Sequence, residues 1–70
     1  MSKQRSSAVG GCVREGLIAD AKAAGVKVRN AVRRGDTSAE SAFDRSGVGF
    51  PYMTAAEYTA AKAAFVKAAR

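Results

Sequence analysis

The chain has no histidine and no tryptophan, one cysteine and one proline, and a single leucine and isoleucine (Leu17 and Ile18) among 70 residues. Without histidine, a Cys/His zinc cluster is excluded and any acid–base chemistry would fall to carboxylates. Cys12 has no partner for an intrachain disulfide and no imidazole to activate it, so a small buried hydrophobe is the simpler reading. The six acids are scattered, and no glycine-rich stretch has the spacing that cradles phosphate. These absences argue against an enzyme, a metal site and a cofactor. No run approaches the roughly 18 apolar residues of a membrane span, so the expectation is a soluble, cytoplasmic protein with no membrane partner.

What is present is unevenly distributed. Residues 1–35 carry eight Lys/Arg against two acids, which is the whole net charge of +6. Residues 36–70 are neutral and hold all five aromatics (Phe43, Phe50, Tyr52, Tyr58, Phe65). Sixteen of the 33 apolar residues are alanine, so one domain of this length has a thin core. A thin core calls for close helix packing, a partner, or a second copy in a homodimer.

Residues 1–10 read as a flexible, disordered basic tail, with Lys3 and Arg5 as auxiliary contacts, and residues 11–70 as one helical domain. From Val13 the apolar positions Leu17, Ala21, Ala24, Val28 and Ala31 keep helical spacing, and Arg33-Arg34-Gly35 reads as a helix end. This predicts a long or kinked basic amphipathic helix over about 12–34, with Gly16 and Gly25 each costing about 1 kcal/mol relative to alanine. Thr37 with Glu40 has capping-box spacing before a short helix over about 38–45, and Thr54 with Glu57 repeats it before a helix over about 55–69. In that last helix Thr54, Tyr58, Ala61, Phe65 and Ala68 form the inward stripe. The fold class is all-α, a domain of three or four helices.

At about 100° per residue, Lys22, Arg29 and Arg33 cluster away from the apolar arc as a ridge on the exposed side, with Lys27 and Arg34 on a flank. Arg14 has an acid beside it in Glu15. Between Lys22 and Arg34 there are five bases and no acid. Basic residues also close helices and cover apolar surface with their stems, whatever the function.

Ala21-Lys22-Ala23-Ala24-Gly25-Val26 resembles the helix-turn-helix family of DNA-binding modules, which places alanine in the first helix, glycine four later in the turn, then an apolar residue. The resemblance implies a recognition helix at Lys27–Arg34, with Arg29 and Asn30 addressing base edges and Arg33 and Arg34 holding phosphates. The pattern departs from the family where an apolar residue would fall at Arg34. A continuous helix through Gly25 is the other reading. Val26 separates the two, being exposed on a continuous helix and buried in a turn.

Phe50, Tyr52 and Met53 sit in a loop around Pro51. They read either as a lid folded over the thin core, with Met53 stapling the last helix, or as a protein-binding surface. The composition thus predicts a small basic nucleic-acid-binding or regulatory protein. The alternative is an interaction module that docks its basic helix on an acidic protein surface.

Overall fold

The structure, a computed structural model, describes residues 13–70. The tail with Lys3 and Arg5, and Cys12, lie outside the described residues. Three helices follow in order: α1 Glu15–Arg34, α2 Ala39–Ser46 and α3 Ala55–Ala69. No strand occurs among the described residues, and no helix there is long and apolar enough to cross a membrane.

Helix α1 starts at Glu15 rather than near residue 12. Arg14 stays extended (φ −56°, ψ 138°) because its N–H is donated to the Glu57 carboxylate at 3.1 Å instead of entering the helix. The helix then runs unbroken through Gly25, so the turn required by a helix-turn-helix is not formed there, and Val26 is 52 % exposed. At the far end Gly35 takes the left-handed conformation (φ 82°). The Gly35 N–H bonds to Val32 O and the Asp36 N–H to Ala31 O, both at 3.0 Å, which closes the helix as a Schellman motif.

The cap of α2 is Ser38, not Thr37. The Ser38 hydroxyl accepts from the Ser41 N–H at 3.1 Å, whereas the Thr37 hydroxyl is taken by the Arg45 guanidinium at 2.9 Å. Glu40 is thereby displaced from the capping position and instead faces Arg70 at 3.6 Å. Helix α3 has the expected box. Thr54 Oγ1 accepts the Glu57 N–H at 3.1 Å, and a Glu57 carboxylate oxygen accepts the Thr54 N–H at 3.0 Å.

Contacts between α1 and α3 rise together along both helices. Arg14 meets Glu57, Gly25 meets Phe65 and Ala68, and Arg33 meets Arg70. The two helices therefore run parallel, and α2 with the 47–54 loop returns the chain between them. Gly25 is the point of closest approach. A Cβ there would lie 2.5 Å from the Phe65 carbonyl oxygen and 2.9 Å from the Ala68 Cβ. The glycine that weakens α1 as an isolated helix is what lets it pack on α3.

One core joins all three helices: Leu17 and Ala21 from α1, Ala39, Ala42 and Phe43 from α2, and Ala61, Phe65 and Ala69 from α3. Phe43 sits edge-on between Phe65 (5.3 Å) and Tyr58 (5.6 Å), which supplies most of the large apolar area in an alanine-rich interior. The inward stripe of α3 includes Glu57 and Ala69. Tyr58 stands at its rim, 41 % exposed, with Lys62 Nζ 5.6 Å from its ring centre.

Candidate anion-binding face

The predicted ridge does not face away from the molecule. Because α3 packs against the Gly25 side of α1, the flank bearing Lys22, Arg29 and Arg33 borders α3. Arg29 Nε donates to the Ala68 carbonyl at 3.0 Å, and Arg33 Nε donates to the Arg70 carbonyl at 3.1 Å. Ala68 is in the last turn of α3 and Arg70 is the residue just past it, where the C=O groups lack intrahelical donors. The two arginines therefore cap α3 from α1, with both charges at the negative end of α3 and that of Arg33 also in the last turn of α1.

This structural duty leaves binding capacity. A guanidinium has five N–H donors, and a single Nε bond leaves both terminal nitrogens to point elsewhere. The Nε bond also fixes the fork, which lowers the cost of ordering it around an anion.

Lys67 of α3 joins this face. Between Lys22 and Lys67 lies a groove of about 360 Å³ floored by Val26, Ala64 and Ala68. The structure thus brings together Lys22, Arg29, Arg33 and Lys67, the last of which was not among the predicted site residues. Its signal was the parallel register of α1 and α3, which no local pattern encodes. From Lys22 to Arg33 the face extends about 16 Å along α1. No carboxylate occurs in α1 between those residues, or in α3 after Glu57.

The other predicted residues are not part of it. Lys27 and Arg34 are exposed on the opposite flank of α1, with Asn30 on the outward side midway between Lys27 and Arg33, and Arg34 is bound to Asp36 at 3.0 Å. Arg29 is turned onto α3, so the expected Arg29–Asn30 pair reading base edges is not assembled.

The loop expectation divides in two. Met53 and Val48 are half-buried against the core, while Phe50 and Tyr52 are exposed and form no lid. Tyr52 is anchored only through its backbone, whose carbonyl accepts from Arg14 Nη2 at 2.8 Å.

Glu57 is the one buried charged group in the described part. Its carboxylate accepts the backbone N–H groups of Thr54 and Arg14 and, at 2.8 Å, the Arg14 Nε. Arg14 is therefore paired across 43 residues rather than with Glu15. The bond from the Thr54 backbone, then that from the Arg14 backbone, then the Arg14 side chain lower the Glu57 pKa from 4.5 to about 2. The group accepts from three donors and ties the start of α1 to the start of α3. Among the described residues no group of three or more metal-ligating side chains comes together.

The chain matches no protein-family model, and no similar curated protein or solved structure was found.

Proposed function

We propose that the protein is a small, non-enzymatic nucleic-acid-binding module that contacts the phosphate backbone through the α1/α3 face. The carrying observation is that Lys22, Arg29 and Arg33 of α1 and Lys67 of α3 lie along one seam, with no carboxylate in α1 between Lys22 and Arg33 or in α3 after Glu57. The net charge of +6 adds long-range attraction for a polyanion. The arrangement favours phosphate contacts over base reading, because Arg29 is held by the Ala68 carbonyl. Fluorescence anisotropy with labelled duplex DNA, duplex RNA and single strands tests this. Binding that falls steeply with salt is expected, and no binding to any of these at low salt contradicts it.

One observation favours a second reading. Val26 is half exposed and lies with Ala64 and Ala68 between two lysines, which suits the apolar stripe of an acidic amphipathic helix from a partner protein. Val26→Ser separates the two. Nucleic-acid binding should be unchanged by it, whereas docking of an acidic helix should be lost.

A further inference from the structure

At the end of the molecule opposite Arg29 and Arg33, two large aromatic side chains lie outside the described core. Phe50 and Tyr52 are 83 % and 70 % exposed, yet their loop is tied down. The Phe50 N–H bonds to Gly47 O, the Tyr52 N–H to Gly49 O, and Arg14 Nη2 to Tyr52 O. Beside Phe50 is a recess of about 290 Å³ lined by Arg14, Gly16, Leu17, Asp20 and Gly49. Gly16 weakens the first turn of α1, and no atom of the described residues lies within 4 Å of where its Cβ would stand. Gly25 is explained by contact with α3, whereas Gly16 meets no such partner among the described residues. The rim of the recess carries one cation and one anion, Arg14 and Asp20, on a chain whose net charge is +6.

We propose that this end is a self-complementary surface on which two copies of the chain dimerise, Phe50 of each copy entering the recess beside Phe50 of the other. A two-fold axis makes residue i contact j while j contacts i. A surface that bears both a projecting ring and a recess, and both signs of charge, therefore fits its own copy. Asp20 of one copy then faces Arg14 of the other, and the side chain of Arg14 is 53 % exposed even while bound to Glu57. The absence of a side chain at Gly16 opens the recess to an aromatic ring. Dimerising here keeps the strongly basic α1/α3 faces of the two copies apart, which limits like-charge repulsion, and exposed aromatics at the contact supply its apolar area. The inference stands on different residues from the proposed function and does not need it.

Sedimentation equilibrium of the full chain, from low micromolar to millimolar concentration, tests the proposal. The expected mass rises from 7.2 kDa toward twice that value. Phe50→Ser and Asp20→Lys should each remain monomeric across the range while keeping the wild-type helical circular dichroism. Gly16→Ala gives a readout of opposite signs: it should raise the melting temperature of the dilute monomer through better helix propensity, and weaken association. A wild-type chain that stays monomeric throughout overturns the proposal. So does a dimer that survives Phe50→Ser and Asp20→Lys, or one that Val26→Lys alone abolishes, which would move the interface to the α1/α3 groove.

Discussion

The two ends of the parallel α1/α3 pair solve the same problem with opposite charges. At the starting end, the Glu57 carboxylate gathers two backbone N–H groups and the Arg14 Nε. At the finishing end, Arg29 and Arg33 donate to the carbonyls of Ala68 and Arg70. Parallel helices add their dipoles side by side, so an anion at the joint N-terminal end and cations at the joint C-terminal end are both stabilising. The difference is in what remains. Glu57 is buried and its oxygens are engaged, so it has a structural role only. The arginines use one donor each and stay in contact with solvent, so they serve the fold and remain able to hold an anion.

The contact that holds both ends in register is Gly25. Gly25→Ala should cost about 1–3 kcal/mol despite the better helix propensity of alanine, because the added Cβ meets the Phe65 backbone carbonyl, which cannot rotate away. Urea denaturation followed by circular dichroism measures this. An unchanged midpoint would mean that α1 and α3 do not approach closely, and the comparison between their ends would fail with it.

Glu57→Gln addresses the buried end alone. Because its pKa is lowered, the carboxylate contributes fully above about pH 4.5 and its contribution fades as the pH falls toward about 2. The wild-type protein should therefore lose stability over that acid window. The variant should be less stable at neutral pH and show a flatter acid limb. Parallel acid limbs for the two proteins would show that Glu57 does not hold the ends together.

Arg29→Ala addresses the exposed end and should have a smaller effect, about 1 kcal/mol for one lost bond to a helix carbonyl. It should also weaken anion binding, since the same side chain serves both purposes. A variant that loses binding with no change in thermal melting would show that Arg29 does not cap α3.

Much of this architecture was legible locally. The Thr54/Glu57 box, the glycine end at Gly35 and the helical spacing from Leu17 to Ala31 all depend on neighbours within five residues, and each appears in the structure. What was not legible depends on partners far along the chain. The hydroxyls of Thr37 and Ser38 both suit a cap, and the bond from Arg45 decides between them. Glu57 reads as a cap residue, while its second role needs Arg14. Gly25 reads as a defect, or as a turn, until α3 is laid against it. The direction of the basic ridge follows from that same contact, which sets Lys67 of α3 beside Lys22 and leaves Lys27 and Arg34 on the other flank of α1. Phe50 and Tyr52 have the same hydrophobicity inside or outside the core, so composition alone did not place them.

The most direct measurement is the salt dependence of duplex DNA binding by the wild-type protein and by the double variant Lys22→Gln/Lys67→Gln. Both lysines are on the face but make no hydrogen bond or ion pair within the described part, so the variant should fold with stability within about 0.5 kcal/mol of the wild type. Four phosphate contacts predict a log–log slope of about −3 to −4 for the wild type, and removing two should reduce its magnitude by about 2. An unchanged slope in a folded double variant would contradict the assignment of the α1/α3 face as the anion-binding surface.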